Sequence, residues 1–159
     1  MIMHPATATA TLHPSLLERA AAAIERLERI PQGLFQTLFR ISLASVFWAS
    51  GLTKIASWQT TIVLFRDEYK VPLLPPELAA YMGTAAELGC SVLIFFGLAS
   101  RLATLPLIAL TLVIELFVYP EDWSEHLIWL SMLLFILARG PGPLSLDALV
   151  KRFALSGRM

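Results

Sequence analysis

Four long apolar segments constrain this chain more than any other feature. They cover residues 34–55, 78–97, 102–119 and 123–138. A helix needs roughly twenty apolar residues to cross a hydrocarbon core of about 30 Å, and the first three segments meet that length. The fourth is shorter and would need flanking residues or local thinning of the bilayer. Because only 15% of all residues are charged and 57% are hydrophobic, we predict an all-α membrane protein built on a four-transmembrane-helix bundle.

Lysine and arginine flank these segments unevenly, which predicts the orientation. Cytoplasmic flanks carry the excess of basic residues. One side would carry Lys54, Arg66 and Lys70 only. The other side, which contains both termini, would carry Arg19, Arg26, Arg29, Arg101, Arg139, Lys151, Arg152 and Arg158. We therefore expect both termini to be cytoplasmic.

Amphipathic helices are predicted at both ends of the chain. Ser15 and Glu18 have capping-box spacing and would open a helix through about Ile30. Its apolar stripe fits the inner leaflet or a soluble partner equally well. Ser145 would cap a second helix after residue 139. We expect three regions: a tail and helix in 1–33, the membrane domain in 34–138 and a tail with a short helix in 139–159. Residues 1–14 lack the apolar core of a secretory signal.

Glu87 is the strongest functional signal, because it lies in the middle of an otherwise uncharged apolar segment. A carboxylate at that depth costs about 2.5–3.5 kcal/mol even on a lenient insertion scale. Such a residue is rarely incidental. We therefore expect Glu87 to have a functional role or an essential packing role.

Small and hydroxylated residues at helical spacing predict which faces point inward. Such residues favour close helix–helix contact in lipid. The stripes are Arg40, Ala44, Phe47, Gly51 and Lys54; Ala80, Thr84, Glu87 and Ser91; and Thr104, Ile108, Thr111 and Glu115.

Three further ionisable residues fall at a similar depth, toward the outer side. Together with Glu87 they predict a polar pocket open to the outside, in which they bind a ligand or relay protons: Lys54, Glu87, Glu115 and His126. Phe47, Gly51, Thr84 and Trp129 would line it. The alternative is that Lys54 and Arg40 reach to opposite interfaces and that His126 bonds a backbone carbonyl at the interface.

The order of several short motifs resembles the DoxX family of small four-helix membrane proteins. The motifs are Gly51-Leu-Thr-Lys54, Glu87 and Gly97-Leu-Ala-Ser-Arg101, and the likeness extends over about residues 39–153. Residues 73–81 and 140–147 resemble one bacterial branch. The resemblance implies a compact bundle in the bacterial inner membrane with a loose link to quinone-dependent redox. It also implies an accessory role beside metal-dependent enzymes that modify small peptides under metal stress.

The first functional hypothesis is therefore a subunit of a redox or stress-response assembly that binds a quinone in the pocket. Cys90 is the single cysteine, so one chain cannot form a dithiol, and no flavin fingerprint is present. Electrons would come from a partner, and we expect this chain to be an accessory subunit more than a stand-alone enzyme. A second hypothesis is a non-catalytic membrane anchor or a maturation and assembly partner. Glu87→Gln discriminates them, since a pure anchor would tolerate it.

The third hypothesis is a small transporter or metal-handling protein. The three histidines, His4, His13 and His126, are scattered. Met82 and Met132 are typical of helix packing. We therefore expect no metal site, although a dimer would supply two copies of His126 to a haem or metal. Quinone remains the candidate cofactor. The expected partners are membrane lipid and other protein subunits, with a homo-oligomer left open and no nucleic acid.

Overall fold

The computed structural model describes residues 15–121 and 123–156. The described ranges contain helices and turns and no strand, in agreement with the all-α class. The chain divides into two compact units, residues 1–31 and 32–159. His4, His13 and Arg158 lie outside the described residues, together with the rest of 1–14.

The first unit contains helix α1, Leu16–Glu28. The predicted capping box is present. The backbone N–H of Glu18 donates to Ser15 Oγ at 3.3 Å, and Ser15 N–H donates to Glu18 Oε2 at 2.7 Å. The two hydrogen bonds thus satisfy two backbone N–H groups that would otherwise be unpaired at the start of the helix. The apolar side chains of α1, including Leu17 and Ile24, are exposed.

The second unit is built around four helices. They are α2 (Gln32–Ala56), α4 (Pro76–Phe96), α5 (Ser100–Val113) and α6 (Trp123–Arg139). Helix α5 continues into a π-helical turn, Ile114–Val118, called here the second π turn. Helix α2 packs against α4 and α6, and α5 packs against the same two helices. The four helices therefore close into a ring, called the bundle below.

Two shorter pieces complete the second unit. Between α2 and α4, helix α3 (Trp58–Leu64) leads into the first π turn, Phe65–Tyr69. After α6, the chain turns at Gly140 and Gly142, both with positive φ, and enters α7 (Leu146–Ser156). Ser145 caps α7 as expected, since its Oγ accepts from Ala148 N–H at 3.2 Å.

The interior of the bundle combines an apolar core with buried polar residues, and the outer surface of the bundle is apolar. Fully or almost fully buried core residues come from all four helices: Leu43, Phe47, Ile94, Leu107, Leu133 and Ile136. Large apolar side chains, such as Trp48 and Leu105, are exposed on the outside. An apolar exterior of this kind marks contact with lipid or protein. In the described ranges two helices are long and apolar enough to cross a bilayer, Pro76–Phe96 and Ser100–Val118.

The three predicted inward stripes are buried except at Lys54 and Ile108, which are partly buried. Ala80, Thr104 and Thr111 are fully buried, and Ser91 is 1% exposed. At Gly51 the reason is close approach: a Cβ there would lie 2.7 Å from Leu88 Cδ2 on α4. Small residues thus bring α2 and α4 together, as expected for helices that pack in lipid.

Arg40 on α2 forms hydrogen bonds with the end of α4 and with the segment 141–144. Its guanidinium is buried and donates to Ile94 O at 2.9 Å and to Phe95 O at 2.7 Å, the last carbonyls of α4. It also donates to Pro141 O at 3.0 Å and to Leu144 O at 2.6 Å. The interpretation that Arg40 reaches out to the interface was wrong, because at 4% exposure the side chain serves unpaired carbonyls of the protein.

Asp147 makes a second tie at this end. Its carboxylate accepts from Ala99 N–H at 2.8 Å and from Ser100 N–H at 3.1 Å, which caps the start of α5 from a distant part of the chain. Its own backbone N–H donates to Gly97 O at 2.9 Å. Gly97 has φ +70°, a conformation that favours glycine. The two family-like motifs, residues 97–101 and 140–147, thus meet as structural partners.

Candidate functional site

A cavity of about 270 Å³ opens at the end of the bundle opposite Arg40. Its wall is formed by the carboxyl end of α2, the middle of α4, the end of α5 and the start of α6, together with both π turns. Most wall residues are apolar or aromatic. The polar exceptions include Ser50, Lys54, Glu87, Glu125 and His126. Such a lining, apolar with a few converging polar groups, is typical of small-molecule sites.

Glu87 forms a buried ion pair with Lys54 on one side of this cavity. Lys54 Nζ lies 2.8 Å from Glu87 Oε1 and 2.9 Å from Oε2. The Lys54 side chain keeps 17% exposure and that of Glu87 only 2%. Ser50 completes the group: its hydroxyl donates to Glu87 Oε1 at 3.1 Å and accepts from Lys54 at 2.9 Å. The carboxylate is therefore neutralised where it would otherwise be very costly.

Glu115 and His126 form a second buried pair on the opposite side. His126 Nδ1 hydrogen-bonds Glu115 Oε2. Glu115 lies in the second π turn, and π-helical turns occur often at functional sites. Glu115 is fully buried and His126 is 4% exposed. The carboxylate thereby fixes the orientation of the imidazole ring.

The second nitrogen of His126 is available to a ligand. His126 lines the cavity, and among the described residues only Nδ1 has a hydrogen-bond partner. Its ring packs edge-on against Trp129 at 5.1 Å, and Trp129 packs edge-on against Phe47 at 5.7 Å. One oxygen of the partner carboxylate, Glu115 Oε1, is buried without a hydrogen bond.

Tyrosines form the mouth of the cavity. Tyr69, at the end of the first π turn, packs edge-on against Tyr119 with ring centres 6.1 Å apart. Tyr119 Oη donates to Glu68 Oε1 at 2.8 Å. This bond joins the α3–α4 connection to the α5–α6 connection. The cavity is therefore bordered on its open side by two loops that contact each other.

Each residue predicted for the site has a definite place. Lys54, Glu87 and His126 line the cavity, and Glu115 backs it through His126. The predicted lining residues divide as follows: Phe47 and Trp129 belong to the wall, whereas Gly51 lies in the α2–α4 contact and Thr84 is buried with an unbonded hydroxyl.

Sequence reasoning missed Ser50, Tyr69, Tyr119 and Glu125. Ser50 precedes Lys54 by one helical turn, and that spacing was the available signal. Within residues 15–121 and 123–156, no group of three or more His, Cys, Asp or Glu side chains is arranged to hold a metal ion.

Comparison with known proteins identifies the family. The DoxX family matches residues 35–120, which include α2, α3, α4, α5 and both π turns. This chain belongs to the DoxX family. A similar protein from Haemophilus influenzae, described as uncharacterized, is 27% identical over 139 residues, which cover 80% of this chain and 90% of the relative. No solved structure matches. Membership of the DoxX family makes the protein membrane-associated, in keeping with its two apolar helices.

Proposed function

We propose that this DoxX-family protein is a membrane subunit of a redox or stress-response assembly and that its cavity binds the headgroup of a quinone. One observation carries the proposal: the Lys54–Glu87 pair and the His126–Glu115 pair border the same apolar cavity from opposite sides. Each basic group already has a carboxylate beside it. The cavity thus favours a neutral ligand with polar atoms at two ends over an ion.

The aromatic wall suits a flat ring. The aromatic side chains in the wall are Phe47, Phe65, Tyr69, Tyr119 and Trp129. With a proton on Nε2, His126 would donate to one quinone oxygen, since this nitrogen has no other partner among the described residues. Lys54 makes two contacts to Glu87 and one to Ser50. It would turn one N–H from the doubly bonded carboxylate to the second quinone oxygen, without breaking the ion pair.

The reaction balances only with an electron-carrying partner. Reduction of a quinone to a quinol takes two electrons and two protons. The chain has one cysteine, Cys90, so a dithiol cannot form within it. A partner subunit with a flavin or a dithiol would supply the electrons. His126 and Lys54 would each supply one proton to a quinone oxygen, and two protons from the aqueous side would then replace them by way of Glu115 and Glu87.

The proposal also includes a membrane topology. Helices α2, α4, α5 and α6 would all cross the inner membrane of a bacterium, with both termini in the cytoplasm and the cavity facing outward. A membrane-impermeant thiol reagent tests this in a Cys90→Ala background. Gln59→Cys should react in intact cells and Lys151→Cys only after lysis. Labelling of Lys151→Cys in intact cells would overturn the topology.

The test of ligand binding is organic extraction of gently purified protein, followed by mass spectrometry for quinones. Wild type should retain quinone, and Glu87→Gln should lose it because Lys54 then has no charged partner. Val113→Phe fills the cavity without touching a charge and should lose quinone as well. Glu77→Gln is the matched control, since Glu77 pairs with Arg66 on the surface, away from the cavity.

Two results would count against the quinone proposal. One is the absence of quinone from folded wild-type protein. The other is equal retention by wild type and a folded Val113→Phe variant, because quinone would then lie elsewhere. Circular dichroism establishes that each variant is folded.

Helix α1 supports a second candidate function, that of an anchor or an assembly partner. Leu17 is 82% exposed and Ile24 is 57% exposed. An apolar stripe of this kind would dock on a membrane surface or in the groove of another protein. Leu17→Glu with Ile24→Glu should abolish capture of the native partner after mild cross-linking and leave quinone retention intact. Unchanged capture would remove this candidate.

A further inference from the structure

A second concave surface, unrelated to the cavity, lies between α2 and α4. This outer groove has a volume of about 310 Å³, and hydrocarbon makes up most of its wall. Ile41, Ser45 and Trp48 contribute from α2, and Val92 and Phe95 contribute from α4. A groove of this volume, lined mostly by hydrocarbon, fits an alkyl chain.

The groove ends at a basic cleft of about 420 Å³. Phe95 and Phe96 belong to the walls of both, so the groove and the cleft are neighbours. The cleft adds Arg40 from α2 and Arg152 from α7, with apolar residues of the 143–149 segment around them. One surface therefore passes from apolar to cationic along its length.

The positive charge of the cleft is compensated only in part within the described residues, since the Asp147 carboxylate attracts Arg40 without forming an ion pair with it. No carboxylate lies within ion-pair distance of Arg152 or Arg40 there. The nearest acid of α7 is Asp147, and both of its oxygens accept backbone N–H groups at the start of α5. Arg40 uses four of its five N–H donors on carbonyls, which leaves one N–H of Nη2. The cleft can therefore accept an anion.

We propose that the outer groove and the basic cleft together bind one anionic phospholipid. One acyl chain lies along α2 and α4, and the phosphate lies between Arg152 and the free N–H of Arg40. Basic pockets at the ends of membrane helices select anionic headgroups in this way. An isoprenoid tail, or a helix of a second copy, would fill the groove but would leave the two arginines without an anion. Charge complementarity therefore favours the phospholipid.

Native mass spectrometry tests the proposal. The full chain is reconstituted in vesicles of equal parts phosphatidylglycerol and phosphatidylcholine, released into mild detergent, and the retained lipid is counted. Wild type should keep one phosphatidylglycerol in preference to phosphatidylcholine. Arg152→Gln should lower that occupancy at least about fivefold more than Lys151→Gln, because only Arg152 belongs to the cleft. Both variants remove one charge from the same exposed helix.

A second variant separates the groove from general surface charge. Ser45→Trp fills the groove at an exposed position and leaves every arginine in place. It should displace the retained phosphatidylglycerol while the fold, followed by circular dichroism, is unchanged. Equal loss in the Arg152 and Lys151 variants would overturn the site, and so would equal retention of both lipids by wild type. Full retention by folded Ser45→Trp would overturn the groove as the acyl-chain site.

Discussion

The Lys54–Glu87 pair gives the sharpest quantitative prediction. At 2.8 Å and an effective dielectric constant of about 20, the attraction between the two charges is about 6 kcal/mol. Desolvation offsets part of it. Removing one partner of a buried pair costs about 3–5 kcal/mol. We expect the lower end, about 3 kcal/mol, because Lys54 keeps 17% exposure and a hydroxyl partner in Ser50.

The assay is a double-variant cycle. Glu87→Gln, Lys54→Met and the combined variant are unfolded by titration with SDS in mixed micelles, and helix content is followed by circular dichroism. Each single variant should lower the free energy of unfolding by about 3 kcal/mol. In the combined variant the free energy of unfolding should fall by about 2 kcal/mol less than the sum of the two single losses, since no buried charge is left without a partner.

A surface ion pair provides the control. Arg66 Nη2 lies 2.6 Å from Glu77 Oε1, but the side chains are 53% and 49% exposed. Glu77→Gln should therefore change the free energy of unfolding far less than Glu87→Gln does. The reasoning would be refuted if the loss of unfolding free energy in the combined variant equalled the sum of the two single losses within about 0.5 kcal/mol. Two coupled charges cannot behave independently in this way.

Three further variants address the other buried contacts, each measured by the same unfolding titration. His126→Leu leaves the Glu115 carboxylate without its partner and should cost about 3 kcal/mol, whereas Glu115→Gln should cost less because no charge remains buried. Arg40→Met strips four carbonyls of their donor, at about 1–3 kcal/mol each, and should prevent stable folding. Arg40→Lys should restore only part of that loss, since an ammonium lacks the planar fork. Asp147→Ala removes the distant cap of α5 and should cost about 1–2 kcal/mol.

Each of these variants has a result that would contradict it. Equal stability of the His126→Leu and Glu115→Gln proteins would argue against a buried charge at Glu115. Full rescue by Arg40→Lys would show that charge alone suffices at that position. An Asp147→Ala protein as stable as wild type would mean that water replaces the cap.

Local patterns were enough to predict the helices and their inward faces. The capping-box spacing of Ser15 and Glu18 predicted the start of α1. The stripe through Thr84, Glu87 and Ser91 is buried as expected. Glu87 and Lys54 were predicted to share one polar pocket, and the structure shows in addition that they form an ion pair. Such features depend on residues within a few helical turns and on the strong penalty for an unpaired charge.

Other features depend on parts of the chain that lie far apart, and sequence patterns do not record them. The acceptors of Arg40 are backbone carbonyls, which leave no mark on residue identity. The π turns at Phe65–Tyr69 and Ile114–Val118 place Tyr69 and Tyr119 in the cavity wall, and no sequence pattern predicted either turn. Gly51 and Thr84 share the inward face, but close helix contact excludes them from the cavity wall.

The hydrogen bonds of Arg40 also bear on how the chain is made. Arg40 must meet the carbonyls of Pro141 and Leu144, which follow it by 101 and 104 residues. At a ribosomal rate of 5–20 residues per second, those acceptors emerge roughly 5–20 s after the arginine itself. Until then α2 carries a cation whose final partners do not exist. The 141–144 segment therefore completes the hydrogen bonds of Arg40 late in synthesis. A nascent chain cut short before residue 141 would leave two of the guanidinium hydrogen bonds unmade.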